Sequence, residues 1–512
     1  MNLVSVDIGT TSCKAGLFDG AGRALRLASR PTPARSAPDG GAYYDPRELC
    51  DTVCAALREV IAGGTPERIA AVGVASMAET GVVLDRATGA PRSHVIPWFD
   101  TRSASQADFL ALQDDPVARF CKTGLHPSPK VSLAKLLWLR ERDAAALDGA
   151  VWLSAADFIV HALTGAFATD TSLAGRTFAF RIDQRRWDDE WIHALGLPPN
   201  LFPPAQPSGL PAGRVHAQGA GKSGLPEGVP VAVAGHDHIC GALGIGAVTP
   251  RQVFDSMGTA EVLLGTLAPR PLTAEDYASG LSFGCHVVPE RDYWLGGLSV
   301  SGGSIEWLRT IFDAPQMSYQ QLGELLARGD EAPIDILYYP YLLGGSSSSL
   351  NRRQSAARAA FIGLERHHRQ IDLLKAVLQG TAYEMERIRR TAAQLTATPI
   401  ERARAAGGGS RNRLWMQIKA DVSNCVFEVA PVSEVTLLGA AMIAGVGAGL
   451  FASAEEVVEA MAPGDAEVFA PDAERHRRHL LLYEQGYLAL QTPLNAFYSL
   501  VDKSASHAHE SA

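Results

Sequence analysis

No CxxC pair occurs in this chain, and its seven cysteines, at 13, 50, 54, 121, 240, 285 and 425, follow no repeated metal-ligand spacing. That argues against a cysteine framework and points to thiols packed as small apolar residues in a reducing compartment. No apolar run reaches the roughly 18 residues of a membrane span, and no basic leader precedes the first apolar stretch. Positive charge is in the minority: 46 Lys and Arg stand against 55 Asp and Glu, a formal net charge of −9. A general nucleic-acid binder would show the opposite balance. The expectation is a soluble, cytoplasmic protein with no nucleic-acid and no membrane partner. A G-x-S-x-G nucleophile elbow is also missing. Residues 219–223 (GAGKS) imitate the end of a Walker-type phosphate loop, but His216 stands where that motif needs glycine. Gly224-Leu225-Pro226 follows where it needs a helix, so a surface loop is expected there.

With 512 residues, 46% of them hydrophobic, the chain can bury substantial cores in two large domains or about three to four ordinary ones. It opens on VSVDIGTTSCKAGLFD, which reads as two short strands around a tight connection at residues 7–12. That connection offers one carboxylate, Asp7, one glycine and three hydroxyls, Thr10, Thr11 and Ser12. Exposed N–H groups and hydroxyls suit phosphate oxygens, and a carboxylate among them suits magnesium; an ordinary hairpin is the alternative. Asp45-Pro46 opens a helix to residue 61, residues 69–76 read as a buried strand, and residues 81–85 read as another. Helical spacing follows at 102–112, 132–142 and 157–163. The alternation points to a mixed sheet flanked by helices.

A second strand-rich unit begins near Val229. Its first strand ends in His236-Asp237-His238, and residues 253–265 then form a strand-turn-strand around Met257-Gly258-Thr259-Ala260. This echo of the opening suggests two similar halves, each presenting a Gly-Thr turn to a shared cleft. Asp237 stands at the C-terminal end of an apolar strand, where open α/β sheets place ligand chemistry. A carboxylate there can accept a proton from a hydroxyl that attacks phosphorus; a helix N-cap is the alternative. His236-x-His238 has no third or fourth metal ligand nearby in sequence, so structural or substrate-facing histidines are expected. Gly302-Gly303-Ser304 precedes a helical run, residues 344–349 form a hydroxyl-rich loop, and residues 371–395 form a long amphipathic helix. Three glycines, 407–409, precede a further helix and allow close approach of a flat or phosphate-bearing ligand. The polar tail, 503–512, is expected to be disordered.

Five of these segments, in order, resemble the FGGY family of carbohydrate kinases, which includes glycerol kinase and xylulokinase. They are DIGTTSCKAGLFD, residues 154–165, GLPEGVPVAVAGHDHICGALG, AAFIGLERHHRQIDLLKAVLQ and GGGSRNRLWMQIKADV. The resemblance implies an α/β fold of two actin-like, RNase H-like ATPase domains with an active site in the cleft between them. Its boundaries would be 1–242, 243–450, a helical extension at 451–502 and the tail. It implies ATP and Mg²⁺, with Asp7 at the metal and Asp237 as the catalytic base. Thr10, Thr11, Ser12, Lys14, Gly258, Thr259, Gly302, Glu306, Gly408 and Asn412 fall on nucleotide positions. Lys14 stands where glycerol kinase has arginine. Glu79, Trp98, Asp100, Arg102, Asp237 and His238 fall on or near substrate positions. The implied activity is transfer of the γ-phosphoryl group of ATP to a small ketose, such as the pentulose xylulose, or to a polyol, in a protein that resemblance alone makes a homodimer. An actin- or heat-shock-type ATPase and a catalytically silent sugar-binding regulator are the alternatives. The family's charged Gly-Glu-Arg-x-Pro segment is replaced by residues 344–350. Ala78-Glu79 stands where glycerol kinase has Arg-Glu, and Lys130, near an aromatic position of the family, is expected to be solvated.

Overall fold

The computed structural model describes residues 1–63, 69–312, 318–326, 331–344, 357–462 and 464–510, so all but Gly344 of the expected hydroxyl-rich loop lies outside the described residues. The opening stretch is a hairpin of Asn2–Ile8 and Ser12–Phe18, so tight that a Cβ on Gly9 would approach the Ser12 carbonyl oxygen to 3.1 Å. Ala24–Pro31 adds a third antiparallel strand at the edge. On the other side of Asn2–Ile8 lie two parallel strands, Ile69–Ser76 and Pro230–His236, and then the antiparallel strand Pro211–Arg214. The inner strands are buried on both faces, which is why they read as unbroken apolar runs. The helix Pro46–Ile61 covers one face. Asp45 accepts from the N–H groups of Arg47 and Glu48 to cap it, and Leu49, Val53, Leu57 and Val60 fall on its buried side.

A second sheet repeats the plan. Gln252–Met257 and Glu261–Leu267 form its hairpin, Asp292–Leu298 is the third antiparallel strand, and Arg402–Ala406 and Val426–Val429 run parallel to Gln252–Met257. Glu467–Phe469 closes one edge antiparallel, and Ser282–Cys285 adds one strand at the other. The weak echo between the two Gly-Thr turns in the sequence is therefore an echo of whole sheets.

Each half sends one helix across to the other, from the same place in its sheet. Asp237–Gly244 begins where Pro230–His236 ends, and Val435–Gly447 follows Val426–Val429. The two helices meet at bare backbone. A Cβ on Gly439 would lie 1.8 Å from the Cys240 carbonyl oxygen, and one on Gly244 would lie 2.0 Å from that of Val435. The second helix also lies on the first sheet, where a Cβ on Gly73 would fall 2.1 Å from the Ala440 carbonyl oxygen. The apolar cluster around the pair draws on both halves, with Leu3, Ala75, Ile239, Leu243, Leu438 and Met442 among its members.

Several expectations are corrected. Residues 219–223 belong to a short helix, Ala217–Ser223, and not to a loop: His216 Nδ1 accepts from the Gly219 N–H at 2.7 Å. Gly224, read as a breaker, ends that helix in the left-handed conformation, at φ 75°. The strand Gly81–Asp85 stands apart from the main sheet and pairs with Ala150–Ser154. The extension after residue 450 is not wholly helical, since it supplies the strand Glu467–Phe469. Residues 503–510 of the tail continue the helix Ala489–Glu510 instead of lacking structure; they include no glycine or proline to stop it. All seven cysteines are free thiols, six of them buried.

Gly439→Ala tests the helix crossing. Alanine is the better helix former by about 1 kcal/mol, so an effect of local propensity alone would stabilise. The clash with the Cys240 carbonyl oxygen should win, at about 1–3 kcal/mol net loss, read as a lower melting temperature.

Candidate active site

Asp7 is the penultimate residue of Asn2–Ile8 and is paired across the hairpin with Lys14. Its Oδ1 is buried and has no hydrogen-bond partner among the described residues. Burial, then the carboxylate of Asp237, push the Asp7 carboxyl up to about 8, against the opposing pull of Lys14. Burial also works against ionisation of Asp237, but His238 and His236 outweigh it and hold that carboxyl below its usual value. Of two carboxyls that repel each other, Asp7 therefore keeps the proton and Asp237 the charge. A buried carboxylate oxygen without a partner among the described residues, beside a second carboxylate, fits a magnesium ion.

Lys14 was expected among the phosphate contacts. Its Nζ instead lies 2.7 Å from Oε2 of Glu434, the N-cap of Val435–Gly447, so the ion pair spans the two halves. Glu434 carries no motif in the sequence; it joins the site because its helix is the counterpart of the one that begins at Asp237. Thr10 is committed as well. Its Oγ1 accepts from Trp98 Nε1 at 3.0 Å and its carbonyl accepts from the Tyr44 hydroxyl at 2.7 Å, which ties the first turn to the expected sugar side. Thr11 holds the turn in place through its carbonyl, which accepts from the Thr32 N–H, while Ser12 accepts from the Gly9 N–H.

The second turn is braced from below. The carbonyls of Gly258 and Thr259 accept from the N–H groups of Gly302, Ser301 and Gly303, so the turn and the first residues of the helix Gly302–Ile311 move as one. Ser301 Oγ donates to Glu261, which also accepts from the buried Lys419, and Lys419 Nζ lies 2.9 Å from Asp255 Oδ2. Gly407, at φ 106°, lets the glycine turn press on the end of the same hairpin, since a Cβ there would meet the Met257 carbonyl oxygen at 2.4 Å. Gly408 faces open space, and Asn412 caps the helix Arg413–Ser423 by accepting from the Trp415 N–H at 3.1 Å. Glu306 lies half-exposed, with both carboxylate oxygens 2.8 Å from Arg309 Nη1.

On the expected sugar side, Glu79 sits in the left-handed region at φ 57°, on the turn between Ile69–Ser76 and Gly81–Asp85. A glutamate there is a strained choice, of the kind that clusters at ligand sites. Arg176 grips its Oε1 with Nε, at 2.8 Å, and with Nη2, and reaches the Tyr293 hydroxyl of the second half at 3.4 Å. Burial opposes the charge on Glu79, and Arg176 and its neighbours still hold the carboxyl below its ordinary value. Arg176 restores a guanidinium beside the glutamate from 97 residues downstream, so no local pattern could have revealed it. Lys135 donates to the Glu79 carbonyl, and Lys130, expected in solvent, lies with Nζ 4.9 Å from the Trp98 ring centroid. Asp100 and Arg102 are spent on each other and on the loop at residues 39–42. Arg102 donates to Asp39 and to the Ala42 carbonyl, and Asp100 accepts from the Ala42 N–H at 2.8 Å. These contacts take up most of their donors and acceptors.

Asp237 is the first residue of Asp237–Gly244, with His236 as N-cap. Its Oδ1 accepts from the His238 N–H at 2.7 Å and lies 3.1 Å from His236 Nε2. The ligand atoms of His236, Asp237 and His238 lie within 4.8 Å of one another, so the aspartate supplies the third donor that the His-x-His spacing lacked. One of the imidazoles, however, is already engaged with that carboxylate.

The chain matches the N-terminal domain of the FGGY family of carbohydrate kinases over residues 2–244 and the C-terminal domain of that family over residues 254–448. It is 30% identical to a glycerol kinase of Thermus brockianus over 459 residues, which cover 87% of this chain and 90% of the relative. It is 26% identical to a xylulose kinase of Staphylococcus epidermidis over 494 residues, 95% of each chain. Among solved structures, xylulose kinase from Rhodospirillum rubrum superposes with a TM-score of 0.86 at 26% identity, covering 98% of this chain and all of the other.

The proton on Asp7 makes a test possible without substrate. A carboxyl raised from 3.8 to about 8 adds stability that is fully present below pH 3.8 and is lost as pH rises through 8. In metal-free buffer Asp7→Asn should therefore melt above the wild type, by a margin that grows between pH 5 and pH 8.5 in thermal scans. Added Mg²⁺ should narrow that margin by stabilising only the wild type.

Proposed function

Because the chain belongs to the FGGY family of carbohydrate kinases, enzymes that transfer phosphate to an alcohol group, we propose that it moves the γ-phosphoryl group of ATP to a hydroxyl of a small ketose or polyol. Glycerol and xylulose, the acceptors named by its relatives, have equal claims. The observation that carries the reading is the state of Asp237. It is a charged carboxylate at the start of a helix that crosses between the halves, coupled electrostatically to the carboxyl expected to hold the metal.

The residues divide the work. The turns at 9–12 and 258–259 approach the nucleotide phosphates from the two halves, and the glycine turn at 407–409 opens beside the second of them. A magnesium ion at Asp7 would offset charge on the phosphate oxygens. The hydrogen bond from the His238 N–H and the 3.1 Å contact with His236 Nε2 both fall on Oδ1 of Asp237, which leaves Oδ2 to orient the acceptor hydroxyl and take its proton. Such proton transfer contributes about 10²- to 10⁴-fold, and positioning supplies much of the rest. Glu79, gripped through Oε1 by Arg176, presents Oε2 to further hydroxyls. Trp98, His238 and Lys130 complete a wall suited to a polyhydroxylated ligand.

Two measurements test this. Asp237→Asn should bind ATP with little change and lose nearly all transfer in a screen of C3 to C7 ketoses, polyols and sugar acids, with the product's position assigned by NMR. Near-wild-type turnover would remove Asp237 from its role, and ATP turnover that no acceptor stimulates would favour an actin-type ATPase. Arg176→Lys keeps the charge but loses the two-pronged grip on Glu79. It should raise the acceptor KM about tenfold, or ~1.4 kcal/mol, and leave the ATP KM nearly unchanged.

A further inference from the structure

We propose that His236 positions the general base, its Nε2–H holding Oδ1 of Asp237 so that Oδ2 faces the acceptor hydroxyl. The inference rests on the kinase reading above and adds to it a residue whose place in the chemistry comes from geometry alone.

His236 ends the strand Pro230–His236, and its backbone is clamped, since its N–H donates to Ser172 Oγ at 2.9 Å. Its side chain is 6% exposed, with Nε2 3.1 Å from Asp237 Oδ1 and Nδ1 buried without a partner among the described residues. A carboxylate can only accept, so Nε2 carries the hydrogen. In the neutral form of the ring the lone pair then lies at Nδ1. The opposite tautomer would set a lone pair against Oδ1 and bury an unpaired donor at Nδ1, which is the costlier arrangement.

Asp237 needs such a partner because, among the described residues, the one hydrogen bond recorded to its carboxylate comes from the next residue's N–H, on the same oxygen. A carboxylate held by one donor can still swing about that bond. A second donor, arriving from a ring with a fixed backbone, restricts its plane. Small misalignment of a base is expensive, on the order of 10²-fold for about 1 Å. His236 thus acts through Asp237 and touches neither phosphate nor magnesium.

Side-chain length provides the test. The amide nitrogen of glutamine lies as many bonds from Cα as Nε2 of histidine, whereas that of asparagine reaches only the Nδ1 position. In the wild-type enzyme with its preferred acceptor, His236→Asn should lower kcat about 10- to 100-fold with both KM values within about twofold. His236→Gln should recover most of that loss, and neither change should slow the residual rate of Asp237→Asn further. Wild-type kcat in His236→Asn, a His236→Gln as slow as His236→Asn, or an undiminished further loss in the Asp237→Asn background would each overturn the proposal. Melting temperatures identify a variant that has merely failed to fold. Independently of activity, ¹⁵N-histidine spectra of the wild type should show the Nε2–H tautomer for the imidazole whose signal disappears in His236→Gln; the Nδ1–H tautomer would overturn the proposal. If the wild type phosphorylates no acceptor, the kinase reading fails instead, and the tautomer still decides whether this hydrogen bond exists.

Discussion

Backbone against backbone, where Gly244 and Gly439 let two helices meet without side chains, is the contact on which the rest of the structure depends. Each helix starts at the end of an equivalent strand in its own half, so their crossing fixes how the halves face each other. Because the helices begin at the cleft, whatever stands at their first turns is delivered there: His236 and Asp237 from one, Glu434 from the other. A side chain at the crossing would push the helices apart and move both sets of groups.

The cleft this creates gathers three acidic side chains, Asp7, Asp237 and Glu434. Lys14 pulls on Asp7 but is paired to Glu434, and Asp237 is held by His238 and His236. With burial as the larger cause, the repulsion between Asp7 and Asp237 favours a proton on Asp7 and the charge on Asp237. The second half resolves its own buried charges internally, with Lys419 between Asp255 and Glu261. Burial works against the charge of Lys419, and the two carboxylates together keep its pKa above the ordinary value. Such a network is weak evidence for stability, but its link through Ser301 ties the second Gly-Thr turn to the helix beside it.

Reading outcomes differed by range. The strands at 69–76 and 81–85 and the helix at 132–142 were legible to the residue, because apolar patterning is local. The short helix at 217–223 was not, because its cap is a histidine ring nitrogen and its buried side is a glycine lying on the Leu163 carbonyl. Lys14 and the pair Asp100–Arg102 were legible as residues of the site region, yet their partners, Glu434 and the loop at 39–42, come from elsewhere in the chain. Arg176 and Glu434 left no trace in their own neighbourhoods.

The sequence alone determined the two-sheet α/β plan, the pair of Gly-Thr turns and the identity of the two candidate carboxylates, since each is written in a run of adjacent residues. Only the tertiary structure decided what state those groups are in. The charge on Asp237, the proton on Asp7, the arginine behind Glu79 and the imidazole behind Asp237 follow from burial and from distances across the fold. Electrostatic energies depend on both, and chain order records neither.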